Sequence, residues 1–118
     1  MAGCAESRGH GSWSSFAPLS VDADGSMSLR PFYRSVVAGR RVLIADDVRN
    51  TGKTLERAKA VIEAAGGTVA GTVQICDRLE AIVDLGVPNF ALAEYRAPEN
   101  YPASACPLCR TGVPIAEF

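Results

Sequence analysis

Residues 41–54, R-V-L-I-A-D-D-V-R-N-T-G-K-T, constrain this chain more tightly than any other stretch. Four apolar residues, Val42, Leu43, Ile44 and Ala45, run into two adjacent carboxylates, Asp46 and Asp47. A short loop follows and ends in Thr51-Gly52-Lys53-Thr54. Beyond it, Leu55, Ala58, Ile62 and Ala65 recur at three- and four-residue intervals, the spacing of one helix face. The apolar run is too short for a helix and reads as a buried strand. Strand, loop and helix in that order put both acids at the carboxyl end of a strand and the loop N–H groups at a helix N-terminus. Open α/β sheets bind ligands there, and a helix N-terminus favours anions. An acid pair beside an anion cradle points to one ligand carrying both hydroxyls and phosphate.

The flanking segments extend this unit. Gly39 makes the turn into the first strand, and Gly66-Gly67 supplies the left-handed stop that ends the helix. Residues 68–76 (T-V-A-G-T-V-Q-I-C) form a second β-rich apolar run. The 35 residues from Val42 to Cys76 fit one right-handed βαβ crossover. Residues 77–85 read as a short helix or a turn, closed by Gly86-Val87-Pro88, and residues 90–95 read as a third strand. Upstream, Asp24-Gly25 is a turn signal within residues 16–32, and Met27-Ser28-Leu29 alternates as half of a ribbon would. Residues 1–15 are Gly- and Ser-rich with a lone His10 and Trp13, which predicts a loosely held tail and a solvated histidine. Four prolines, Pro98, Pro102, Pro107 and Pro114, predict an extended or turn-forming tail over residues 97–118. The expected organisation is therefore a tail (1–15), an α/β domain (16–96) and a proline-rich C-terminal tail.

A chain of 118 residues holds at most one domain with a modest core. Its formal charge of −1 recruits neither nucleic acid nor membrane globally. The charge is uneven, however. Residues 28–60 hold eight Arg or Lys against three acids, which suits a polyphosphate ligand as well as a solvated surface. No stretch approaches the roughly 20 apolar residues of a membrane span, and no signal-peptide core is visible. Four irregularly spaced cysteines do not make a disulfide framework, so a reducing cytoplasm is expected.

The central stretch resembles the phosphoribosyl-pyrophosphate motif of type I phosphoribosyltransferases: an apolar strand, two acids, then a Thr-Gly-x-Thr loop. Asp46, Asp47, Thr51, Gly52 and Thr54 fall where that pattern has them. Ala45, Arg49 and Asn50 depart from its usual form. The run F-A-P-L-S-V-D-A-D-G-S-M-S-L-R-P-F resembles the mobile catalytic loop and flanking strands of orotate phosphoribosyltransferases, without the cations that family carries there. The ending E-N-Y-P-A-S-A-C-P-L-C-R-T-G-V-P-I resembles the C-terminus of one branch of the same enzymes. The resemblance spans about residues 16–115 and covers the second half of such an enzyme. It implies a partial type I phosphoribosyltransferase fold, a βαβ core with a parallel sheet and the N-terminal half missing.

The resemblance also implies the chemistry. Phosphoribosyl transfer breaks the ribose C1–pyrophosphate bond through an oxocarbenium-like state, and catalysis is mainly positioning and electrostatics. Asp46 and Asp47 would accept hydrogen bonds from the ribose hydroxyls. Asn50, Thr51, Gly52, Lys53 and Thr54 would hold the 5′-phosphate, with the Lys53 side chain either adding charge or pointing to water. Mg²⁺ would bridge substrate oxygens, with no dedicated protein metal site. The partners implied are phosphoribosyl pyrophosphate, a pyrimidine base such as orotate, and a second copy or a separately encoded N-terminal half.

Rival readings rest on the same residues. A nucleotide P-loop is excluded, because it needs glycine five residues before Gly52 and Asp47 stands there. A response-regulator receiver domain also opens with an apolar strand and an acid pair, and would use Asp84 as phosphoacceptor, but no lysine follows Lys59. A binding remnant that keeps the fold without catalysis is a third reading. Cys106-Pro-Leu-Cys109 is either half of a zinc site or two thiols in a turn. Cys76, ending an apolar strand, reads as core.

Overall fold

The apolar runs on either side of the 53–64 helix pair with each other, and the rest of the sheet is added to that pair. The computed structural model describes residues 2–7, 13–96 and 101–114, with backbone alone at 2–7, 13 and 103. In chain order the elements are β1 (Ala2–Ser7), β2 (Trp13–Pro18), β3 (Ser20–Val21), β4 (Met27–Ser28), α1 (Pro31–Val37), β5 (Arg41–Arg49), α2 (Lys53–Ala64), β6 (Thr68–Asp77), β7 (Asn89–Glu94) and α3 (Pro107–Arg110). A 3-10 turn over Ala103–Ala105 precedes α3. The main sheet runs β2-β1-β5-β6-β7. Strands β5, β6 and β7 are parallel, while β1 is antiparallel to both of its neighbours.

The βαβ unit has the predicted order and direction. Leu55, Ala58 and Ile62 of α2 are buried against Val42, Ile44 and Val69 of the sheet. The helix ends in a closed C-terminal motif: the Gly66 N–H donates to Glu63 O at 3.0 Å and the Gly67 N–H to Ile62 O at 3.0 Å. Gly66 takes a φ of 88°, the left-handed conformation that this motif needs. Gly67 is glycine for a different reason. A Cβ there would stand 2.6 Å from Val37 Cγ1 and 2.9 Å from Ile62 Cγ2, so α1 and α2 close over a bare backbone.

One expectation is corrected, and two segments take forms that the sequence leaves open. Composition predicts a loose tail over residues 1–15, yet Ala2–Ser7 pairs with β2 on one side and β5 on the other. Strand pairing uses main-chain groups, so a Gly- and Ser-rich composition does not forbid it. His10 lies outside the described residues. Residues 31–37 form a helix that no periodicity announces: Pro31 stands at its first turn, where a fixed φ is an advantage, and burial of Val37 secures its far end. Residues 78–88 contain no helix, and an irregular connection carries the chain from β6 to β7. The expected 24–25 turn is present, with Gly25 at φ 79° linking β3 to β4. No helix among the described residues is long and apolar enough to cross a membrane.

Candidate functional site

The parallel strands all end on the side where α2 begins. Gly52 caps that helix with a φ of 84°, a left-handed turn that lets the chain reverse directly from β5 into α2. The reversal leaves a cavity of about 130 Å³ lined by Asp46, Asn50, Thr51, Gly52 and Thr54, together with Val48, Arg49 and Leu55. Five of the seven residues singled out in the sequence therefore meet at one place. Asp47 and Lys53 are exposed and do not line it. Consecutive strand residues point to opposite faces, which separates Asp47 from its neighbour. Lys53 opens the helix on its solvent side.

The loop is held from outside, through its carbonyl and not its amides. The Ile82 N–H donates to Thr51 O at 3.0 Å, and the Arg78 N–H donates to Arg49 O at 3.0 Å. Among the described residues, no protein group accepts a hydrogen bond from the N–H of Asn50, Thr51, Gly52, Lys53 or Thr54. These are the orphan donors that any helix start presents, here gathered around a concavity.

The two acids are differently placed. Asp46 Oδ1 accepts from the Asp47 N–H at 3.0 Å, and Asp47 Oδ1 accepts from the Val48 N–H at 2.7 Å. Burial pushes the Asp46 carboxyl upward from its ordinary value, the Asp47 N–H pulls it back, and the neighbouring Asp47 charge adds to the rise. Asp46 thus holds its charge at some cost, a cost that a hydroxyl donor or a cation in the cavity would relieve.

Two residues that the sequence does not assign to the site support it. Arg49, visible there only as a departure from the resembling motif, pairs across to Asp77 at 3.4 Å, and its partner is 6% exposed. Asp77 Oδ1 also takes the Leu79 N–H at 2.9 Å and holds Leu79 at a left-handed φ of 58°. This turn directs residues 78–83 back over the loop. Gln74, beside Asp46 in the sheet register, is 2% exposed, and neither its amide nitrogen nor its amide oxygen has a partner. No sequence signal marks either feature, because each depends on which strands lie side by side.

Other features stand apart. The β3–β4 ribbon, expected to close over the leaving group, lies against α2, where Arg57 Nη1 reaches Gly25 O at 3.5 Å. Asp22 and Asp24 at its tip bond to Ser26. A larger cleft of about 240 Å³ lies at the other end of α2. It is lined mainly by apolar groups with one cation, Arg34, whose Nε donates to Leu29 O at 3.0 Å. Asp84 lies in the irregular connection and takes the Gly86 N–H at 2.8 Å, so it ends no strand and the receiver-domain reading fails. Among the described residues no group of three or more His, Cys, Asp or Glu side chains comes together. Cys106 and Cys109 are therefore not part of such a group among the described residues.

Comparison with known proteins agrees with the geometry. Residues 14–85 match the family model described as phosphoribosyl transferase domain. Orotate phosphoribosyltransferase of Thermus thermophilus is 41% identical over 96 residues, covering 81% of this chain and 51% of that protein. The Pelotomaculum thermopropionicum enzyme of the same name is 37% identical over 94 residues, covering 80% of this chain and 48% of its own. The crystal structure of Mycobacterium tuberculosis orotate phosphoribosyltransferase in complex with inorganic phosphate overlaps with a TM-score of 0.47 at 25% identity, covering 66% of this chain and 45% of that one. The chain spans about half the length of the curated relatives it matches.

Proposed function

This chain belongs to the phosphoribosyl transferase domain family, and we propose that its 46–54 segment binds 5-phosphoribosyl 1-pyrophosphate for transfer to a pyrimidine base such as orotate. The observation that carries the reading is the row of unengaged amides at residues 50–54 around a cavity that also holds Asp46. The amides and the Thr51 and Thr54 hydroxyls receive the 5′-phosphate. Asp46 accepts from the ribose hydroxyls, and its carboxylate favours the positive charge that develops as the C1–oxygen bond to pyrophosphate breaks. A C1–nitrogen bond to the base then forms, and the base gives up its N–H proton.

The residues fit Mg²⁺ in one manner only. A single lining carboxylate, Asp46, with no group of three or more His, Cys, Asp or Glu among the described residues, suits an ion that keeps most of its shell in water and ligand oxygens. When bound it would neutralise pyrophosphate, and Asp46 is the side chain that would face it. The reaction belongs to pyrimidine nucleotide synthesis in the cytoplasm. The part of the relatives' length that this chain does not match, or a second copy, supplies base recognition.

Calorimetric titration with phosphoribosyl pyrophosphate and Mg²⁺ tests this. Saturable binding is expected, weakened about tenfold or more in Asp46→Ala, where a charge-assisted hydrogen bond is lost. No saturable heat, or equal heat from pyrophosphate alone, would overturn the proposal. A non-catalytic binding role is the second reading, favoured by the cation-free β3–β4 ribbon and its place on α2. Added orotate separates the two, since orotidine 5′-phosphate forms only if the chain is competent.

A further inference from the structure

The C-P-L-C segment is absorbed by nothing in the site above, yet it is a built feature. The turn is closed by its own backbone: the Arg110 N–H donates to Cys106 O at 3.2 Å, and the Gly112 N–H donates to Cys109 O at 3.2 Å. The Val113 N–H and the Thr111 Oγ1 both reach Leu108 O, at 3.2 and 2.9 Å. Gly112, at φ 77°, turns the chain back so that these bonds can form. Cys106 precedes Pro107, whose ring fixes the first residue of the turn.

This frame holds two free, partly exposed thiols against each other. Cys106 opens the turn and Cys109 lies three residues on, inside the span that the Arg110–Cys106 bond closes. Residues three apart on a helical turn bring their Cβ atoms to about 5–6 Å, so closing to the roughly 3.8 Å of a disulfide takes a shift of about 1–2 Å in this short exposed turn. Among the described residues no third metal-ligating side chain joins them.

We propose that Cys106 and Cys109 form a redox-active dithiol that exchanges with low-molecular-weight disulfides and closes to an intrachain disulfide. The Cys106 thiolate attacks one sulfur of R–S–S–R, that bond breaks, and R–S⁻ leaves a mixed disulfide on Cys106. Cys109 then loses its proton to solvent, attacks the Cys106 sulfur and expels the second R–S⁻. Two protein thiols are oxidised to one disulfide and the small disulfide is reduced to two thiols. The nearby Cys109 backbone and thiol hold the Cys106 thiol below its ordinary value, which suits it to attack, whereas the Cys106 side chain pushes Cys109 upward, which suits it to resolve.

The test is to expose the reduced full-length chain to oxidised glutathione at neutral pH and map thiols by peptide mass. The expected result is a peptide containing residues 106 and 109 that has lost two hydrogens, with Cys76 still reduced. Cys109→Ser should accumulate glutathione on Cys106 about threefold or more faster than Cys106→Ser does on Cys109. Equal rates in the two single variants, or stable adducts on both cysteines of the unaltered chain without closure, would overturn the proposal. Neither readout depends on phosphoribosyl transfer, so it stands or falls apart from the proposed function.

Discussion

The two faces of the β5–β6–β7 sheet are built from alternate residues of the same strands, yet they have opposite fates. On the face beneath α2, Val42 and Ile44 are fully buried. On the other face, register places Leu43 beside Gly71, and Val73 beside Phe90, with Ile75 and Leu92 following two residues on. Leu92 there is 83% exposed. Parallel sheets bury both faces almost without exception, and their strands read as continuous apolar runs for that reason. The open face has the composition of a buried surface without the cover. A contiguous apolar patch of this kind marks an interaction surface, and it agrees with the proposed partner. The comparison separates two properties that apolar sequence alone merges: burial on the face that α2 covers, and exposed apolar surface on the other.

The largest contrast is available by truncating one residue on each face. Ile62→Ala removes a side chain from under the sheet and should cost about 2–5 kcal/mol in denaturant unfolding, whereas Leu92→Ala should change stability by less than about 0.5 kcal/mol. Similar losses at both positions would mean that the open face is already covered in solution. A smaller effect, of the opposite sign, is expected at Gln74. Its buried amide has no partner, so Gln74→Met should stabilise the chain by about 1–2 kcal/mol. A loss of stability there would show that the amide is satisfied, and that the covered face is wetter than its packing implies.

The smallest effect sharpens the comparison at the site itself. The Asp46 carboxyl is raised in the folded chain, so folding disfavours its ionised form. That penalty is absent below the ordinary carboxylate value near 3.9, grows as pH rises through the raised folded value, and is complete above it. Asp46→Asn should therefore match the unaltered chain in acid and exceed it at neutral pH. The gain should be no more than about 0.5 kcal/mol, because the carboxylate remains largely solvated. Thermal melts across the acid range check the sign, and a variant less stable at neutral pH would reverse it.

Much of the site is legible in the sequence because it is local. Asp46, Asn50, Thr51, Gly52 and Thr54 lie within nine residues, and a strand–loop–helix order is enough to gather them. Asp47 and Lys53 belong to the same run but do not line the cavity, since side-chain direction within a strand and around a helix start separates neighbours. Arg49 is visible only as an oddity; its partner Asp77 stands on another strand. The antiparallel strand at residues 2–7 has the composition of a tail because pairing through the main chain leaves no trace in side-chain pattern.

The sequence by itself determined the βαβ unit, its stop at Gly66-Gly67 and the run of helix-start donors in the loop. Each follows from residues within a few turns of one another, where periodicity, glycine conformation and helix-end donors act. Only the tertiary structure decided which strands became neighbours, and hence which acid was drawn inward, what braced the loop and which face of the sheet stayed open. Those outcomes depend on contacts between segments far apart in the chain. Burial drives them most strongly, and it is a property of the assembled layers and of no single stretch.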